Sequence, residues 1–120
     1  MLNEVALVGR LTKNPEVTEL EGGKKISSII IAVPRMYKNS SGLYDTDYIR
    51  VTLWNGIALN TREYCHCGDL IGIKGRIQVN NFVDNDGKAR SSLEIIAEKI
   101  SFLSSKKEDD KSTCLKDKED

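Results

Sequence analysis

Between residues 48 and 54 every second side chain is aliphatic, with Ile49, Val51 and Leu53 alternating with Tyr48, Arg50, Thr52 and Trp54. Successive side chains of a strand point to opposite faces, so this run reads as a half-buried β-strand. The aliphatic set fills a core, while two aromatics, an arginine and a threonine stand outside. Residues 69–82 repeat the device: Ile71, Ile73, Ile77 and Val79 are odd, whereas Lys74, Arg76, Gln78 and Phe82 are even. If no bulge intervenes, Phe82 joins two cations on the non-core face.

The rest of the chain supplies partners for these strands. Residues 3–11 read as a first strand, with Val5, Leu7 and Leu11 on one face and Ala6 and Val8 on the other, both partly covered. A turn at Glu21, Gly22 and Gly23 leads to a second strand over 25–35. Its run Ile29, Ile30, Ile31 is too short and too β-branched for a helix, and Pro34 marks its frayed or edge-exposed end. Residues 38–45 read as a polar hairpin loop with Tyr37 at its base, and the third strand starts at Tyr48. Asn55 is placed as the cap of a short helix over 57–67, with Ile57, Thr61, Tyr64 and Cys65 at helical spacing and Gly68 as its stop. The fourth strand meets the fifth, 88–103, through a hairpin turn over Asp84, Asn85, Asp86 and Gly87. Gly75 inside the fourth strand implies a bend or a close backbone approach. Three strands, a helix and two strands is the order of the OB-fold, an all-β five-stranded Greek-key barrel with one short helix between strands 3 and 4.

A chain of 120 residues has room for one core. The expected division is a barrel domain over 1–104 and a disordered, charged tail over 105–120, where Leu115 is nearly the only apolar residue. No stretch approaches the roughly 20 apolar residues that cross a bilayer, and the first residues lack a signal peptide's apolar region. Cys65, Cys67 and Cys114 are sparse, odd in number and without disulfide-framework spacing, which fits a reducing, cytoplasmic setting.

Net charge is zero and the pI is near 6.6. A nucleic-acid binder would have to rely on where its charges sit. Up to Ser104 there are 13 Lys and Arg against 12 Asp and Glu. Many acids fall in predicted loops, at Glu19, Glu21, Asp45, Asp47, Asp84 and Asp86, leaving Arg50, Lys74 and Arg76 on strand faces as a local basic groove. Beside them lie Tyr37, Tyr48, Trp54 and Phe82. A base has a flat π-face and a phosphate carries charge, so aromatics interleaved with Lys and Arg suit an unpaired strand, each stacked base contributing about 1 to 3 kcal/mol. The plainer reading is that strands favour aromatic and β-branched residues for packing alone.

Several stretches then match a known pattern. NEVALVGRLTKNPEV, DYIRVTLWNG, EYCHCGDLIGIKGRIQ, NNFVDNDGKAR and LEIIAEKISFL together make residues 1–104 resemble the bacterial single-stranded DNA-binding protein family, including its phage and mobile-element members. The resemblance implies an OB-fold homotetramer that wraps single-stranded DNA with little sequence preference during replication, recombination and repair. It places the stacking aromatics on Tyr37, Tyr48, Trp54 and Phe82, the four already singled out beside the cations. It assigns phosphate contacts to Arg10, Arg35, Arg50, Lys74 and Arg76, with Lys13 and Lys24 further candidates, and subunit pairing to the first strand. One departure is the end of the chain, LKDKED, where the family commonly places acids followed by Ile, Pro and Phe to recruit replication and repair partners.

Other constellations carry less. Cys65, His66 and Cys67 are adjacent on a predicted helix end, point different ways and lack an evident fourth ligand, so no metal and no cofactor is expected. No base, orienting group or oxyanion loop can be named, and an enzyme is not expected. Asp45, Asp47, Asp84 and Asp86 lack calcium-loop periodicity and read as turn formers. Two other functions stay open: an OB-fold module of primosome type whose aromatic face serves a protein, and an RNA-binding OB module.

Overall fold

The computed structural model describes residues 1–105, so the expected tail lies, from residue 106 on, outside the described residues. The elements are β1 (Val5–Leu11), β2 (Thr18–Glu19), a 3-10 turn (Glu21–Gly23), β3 (Lys25–Lys38), β4 (Tyr44–Trp54), α1 (Asn55–Tyr64), β5 (Leu70–Val83) and β6 (Ala89–Ser104). Leaving aside the two-residue β2, the expected order holds. Strands lie in the sequence β1-β5-β6-β4-β3, and β1 returns to β3 through Arg10↔Ala32 and Leu11↔Ile31, which closes the barrel. Pairing is antiparallel except between β4 and β6, which run parallel at Val51↔Ile95 and Thr52↔Ile96. This is the all-β OB-fold, with its helix between β4 and β5.

The core collects the residues that alternation selects: Leu11, Ile29, Ile31, Val51, Leu53, Ile71 and Ile73, with Ala97 from β6 and Ala58 and Cys65 from α1 and its end. Closure brings backbones together at two glycines. A Cβ at Gly9 would lie 2.7 Å from the Ala32 carbonyl oxygen, and one at Gly75 would overlap the Ile96 carbonyl. At Gly75 the register slips, because Lys74 faces Lys99 while Gly75 faces Ala97, so β6 carries Glu98 as an extra residue. The bulge sits on β6, and the alternation of β5 itself is unbroken.

Several expectations are corrected. Strand β3 runs through Pro34 to Lys38, and β4 starts at Tyr44. The polar loop shrinks to a turn in which the Asn39 side-chain oxygen accepts from the backbone N–H groups of Ser41 and Leu43. Pro34, which has no N–H to give, lies where the β3–β4 register becomes irregular. Helix α1 ends at Tyr64, three residues early, and Gly68 serves a following turn at φ 92. Asn55 does not cap it. At φ 51 Asn55 occupies the left-handed region, and its side-chain oxygen accepts from the Lys25 N–H instead.

Ile77 and Val79, expected in the core, are 39% and 53% exposed. They lie where β5 and β6 leave the barrel as a hairpin, with no second layer among the described residues to cover either face. Thr52 stands on the non-core face as expected, yet it is buried, because the side chains of neighbouring strands wall it in. The first strand is covered on one face only, since Ala6 and Val8 are exposed. Among the described cysteines Cys65 is free and buried.

Candidate nucleic-acid interface

Side chains paired directly across a ladder share a face, so the register lays out the outer surface of the barrel. Tyr48, Arg50, Thr52 and Trp54 on β4 face Ala32, Ile30, Ser28 and Ile26 on β3. On the other side Thr52 meets Ile96 of β6, which meets Arg76 of β5. Beyond Arg76 the same face of β5 continues through Gln78 and Asn80 to Phe82, which pairs with Arg90. Arg10 enters from β1 beside Ala32, in the row of Tyr48. One curved face therefore carries Tyr48, Trp54 and Phe82 together with Arg10, Arg50 and Arg76. Lys74 follows on β5, further round the barrel next to Ala6.

Alternation also reveals what reading 38–45 as a loop hid. Tyr44 is even, like Tyr48, and β4 is already extended there. Its partner Lys38 holds its ammonium 5.9 Å from the Tyr44 ring centre. An exposed aromatic with a cation above it thus extends the face along the β3–β4 hairpin. The signal was available in parity, and the polar run after Lys38 masked it.

Arg35 and Tyr37 sit differently. The Arg35 Nη2 donates to Asp47 at 2.9 Å, its Nε lies 3.2 Å from both Asp47 oxygens, and Nη1 is 3.8 Å from Asp45. Asp47 pairs with Val33 and so belongs to the odd face of β4, opposite Tyr48 and Arg50. The Asp47 hydrogen bond pushes the Arg35 pKa up, and the same bond pulls the Asp47 carboxyl below its ordinary range. Tyr37, exposed and near Arg35, falls in the stretch between Pro34 and Lys38 where the register breaks and alternation assigns no face.

The other cations are more available. Lys74 lies 3.9 Å from Glu4 and Arg76 3.8 Å from Glu98, both at exposed sites where an ion pair contributes little and a phosphate can compete. Arg10 donates to the Gly68 carbonyl at 2.9 Å, which ties β1 to the loop after α1. Arg50 alone of the five expected phosphate ligands has no hydrogen bond or ion pair among the described residues, and it lies between the aromatics of β4. At the far hairpin Asp84 forms the turn, as expected, whereas Asp45 and Asp47, expected as turn formers in a loop, lie on β4. Asp84 accepts from the N–H groups of Asp86 and Lys88 and from Arg90 at 2.7 Å, with Arg90 first among the causes that hold its carboxyl below the usual range.

The family model that matches this chain is described as the single-strand binding protein family, and it covers residues 2–103. Among curated proteins, single-stranded DNA-binding protein B of Bacillus subtilis is 39% identical over 106 residues, 88% of this chain and 94% of the relative. Single-stranded DNA-binding protein 1 of Clostridium acetobutylicum is 38% identical over 108 residues, 89% of this chain and 98% of the relative. Single-stranded DNA-binding protein 3 of Listeria innocua is 41% identical over 106 residues, and the match spans 66% of its length.

Proposed function

Because the chain belongs to the single-strand binding protein family, we propose that its curved aromatic and basic face is where it holds single-stranded DNA. The protein is a non-catalytic single-stranded DNA-binding protein, fitted to the family's general work in replication, recombination and repair. Bases stack on Trp54, Tyr48 and Phe82, with Tyr44 and Tyr37 extending the path along the hairpin, while Arg50, Arg76, Arg10 and Lys74 follow the phosphates. Arg35 joins them only when it leaves Asp47. The observation that carries this assignment is the register, which puts three aromatics from two strands and an arginine without a partner among the described residues on one face. Stacking is indifferent to sequence because every base has a π-face, and the phosphate contacts make binding salt-dependent.

We further propose that the protein works as a homotetramer in the cytoplasm. Support for assembly comes from β1, whose residues 5–9 pair, among the described residues, only with β5 and leave the other strand edge open to them, next to the exposed Ala6 and Val8. An open edge of this kind can accept another strand. No described helix is long and apolar enough to cross a membrane.

The deciding experiment is a titration of Trp54 fluorescence with poly(dT) and with duplex DNA, at low and high salt. Trp54 is the only tryptophan, so the signal reports this face. Strong quenching by the single strand alone, weakened by salt, is the expected result. A folded protein that shows no quenching would move the aromatic face to a protein partner, and equal or tighter binding of RNA of matched sequence would move it to RNA.

A further inference from the structure

The ladder between β3 and β4 runs one hydrogen bond further than its backbone pairs. Its last pair is Ile26↔Trp54, and one step on in the same register Lys25 would face Asn55. There the chain turns out of the strand, with Asn55 at φ 51 as the first residue of α1. The Asn55 side-chain oxygen accepts from the Lys25 N–H at 3.0 Å, so a side-chain carbonyl stands in for the backbone carbonyl of a strand that has ended. Opposed residues of an antiparallel ladder alternate between hydrogen-bonded and non-hydrogen-bonded pairs. The odd residues of β3 turn their polar groups toward β4, as the Lys25 bond shows. The even ones turn away, as the Ile30 carbonyl does in accepting from the Thr12 N–H of the other neighbour. Ile26↔Trp54 is therefore a non-hydrogen-bonded pair, and Trp54 is tied to β3 through its neighbours, Leu53 opposite Ser27 before it and the Asn55 side chain after it.

Two demands meet at position 55. The backbone must enter the left-handed region, which Gly adopts freely and Asn tolerates better than most residues. The side chain must also carry an acceptor short enough to reach the neighbouring strand. Gly meets the first demand alone, and Asn meets both. Asn55 is the only non-glycine residue at positive φ among the described residues, and it directly follows the aromatic at the barrel rim. A residue held in a sparsely populated conformation persists where the surrounding structure fixes it, and such positions gather at binding sites. Stacking gains most from a ring that is already in place, because a ring ordered only on binding loses part of the stacking energy to that ordering. Resting on the single-stranded DNA reading above, we propose that Asn55 is a positioning residue for DNA binding: by latching the start of β3 it fixes the backbone of Trp54 and holds the indole ready for a base, without touching the DNA itself.

Asn55→Gly tests this, because it keeps the left-handed backbone and removes the acceptor. The variant should fold as the wild type does by circular dichroism, while the nanosecond anisotropy decay of Trp54, the only tryptophan, gains local motion in the free protein. Affinity for poly(dT), read by anisotropy of labelled DNA at one salt concentration, should fall on the order of fivefold, part of what fixing one residue's backbone costs. The slope of log affinity against log salt should stay the same, since no phosphate contact is lost. In a Trp54→Ala background the same substitution should weaken binding by less than about twofold, because the residue it acts through is gone. Asn55→Asp keeps an acceptor and tolerates the same φ, so it should keep the wild-type Trp54 decay. If Asn55→Gly does not fold, amide exchange in the wild type decides: the Lys25 N–H should be protected as those of Ser27 and Ile29 are, although it lies past the last backbone pair. Unchanged Trp54 motion in Asn55→Gly, the same gain of motion in Asn55→Asp, an equal loss of affinity with and without Trp54, or an unprotected Lys25 amide would overturn the positioning role and leave the stacking face standing. Failure of the folded wild-type protein to bind poly(dT) would overturn the single-stranded DNA reading itself, while the Trp54 decay and the Lys25 exchange would still report on the latch.

Discussion

The barrel and the two hairpins that leave it obey the same strand alternation with different results. From Ile49 to Leu53, β4 is packed between β3 and β6 and its odd side chains point into a closed core. Beyond the barrel no residue of 34–46 or 77–94 is buried. There alternation still sorts side chains to two faces, but both faces meet solvent. Burial stabilises the first region, and local hydrogen bonds shape the second: Asn39 and Asp84 each fold a turn by accepting two backbone N–H groups. The barrel thus provides rigidity, and the hairpins provide reach, carrying Tyr44 and Phe82 outward from the rigid Tyr48 to Trp54 row.

The hardest test of that division is Gly75→Ala. A methyl there would overlap the Ile96 carbonyl of the adjacent strand, and backbone at a barrel seam cannot step aside as a side chain can. The expected loss is about 3 kcal/mol or more in urea unfolding, at the upper end of overpacking effects. A loss under about 1 kcal/mol would mean that the β5–β6 bulge absorbs the change and that the seam is soft.

Next in size is the contrast between Trp54→Ala and Tyr44→Ala. Both remove a ring from the proposed DNA face, one at the barrel rim and one on the hairpin. Loss of one stacked base is worth roughly 1 to 3 kcal/mol, so Trp54→Ala should weaken poly(dT) binding on the order of 5 to 150-fold while circular dichroism stays that of a folded barrel. Tyr44→Ala should cost several times less, because part of its stacking energy is spent on ordering an exposed hairpin. Since Trp54→Ala removes the fluorophore, both affinities are read by anisotropy of labelled DNA. Equal losses would show the hairpin to be as rigid as the barrel.

A smaller effect belongs to Asp47→Asn. The substitution removes the nearer of the two carboxylates beside Arg35 and leaves Asp45 3.8 Å from Nη1, which should tighten binding up to a few-fold at low salt and steepen the slope of log affinity against log salt by at most about 0.7, the value for one more phosphate contact on a single strand. An unchanged slope would leave Arg35 as a purely structural residue. The same pair gives the hairpin a pH dependence. The folded Asp47 carboxyl titrates below its ordinary value of 3.8, so its contribution is fully present above that value and is lost as pH falls through the lower, folded value. Protection factors of the amides in residues 34–46, corrected for intrinsic exchange at each pH, should therefore fall in acid before those of the core do.

These contrasts also explain what could be read in the chain beforehand. The five main strands, the single helix and the outward aromatics of β4 follow from alternation and turn residues, because each element of a barrel has one covered face. The close approach at Gly75 was legible because a glycine amid β-branched residues has few other uses. Arg35 could not be placed, since its partner Asp47 is distant in sequence and only the register brings them together.

Ile77 and Val79 show the limit of alternation most plainly. They continue the odd series of Ile71 and Ile73 without interruption, yet Ile73 is 3% exposed and Val79 is 53% exposed. Hydrophobic periodicity records which side chains share a face; it does not record whether that face has a second layer. The consequence can be measured within one strand. Ile73→Ala should cost about 2 to 5 kcal/mol as a core truncation, whereas Val79→Thr should stay within about 0.5 kcal/mol for the isolated chain. If another subunit covers the hairpin, the extra cost of Val79→Thr must grow with dilution, because an interface is lost by mass action and a core is not. A large loss for Val79→Thr that does not change with protein concentration would break the division between barrel and hairpin, by showing that the hairpin contains a core of its own.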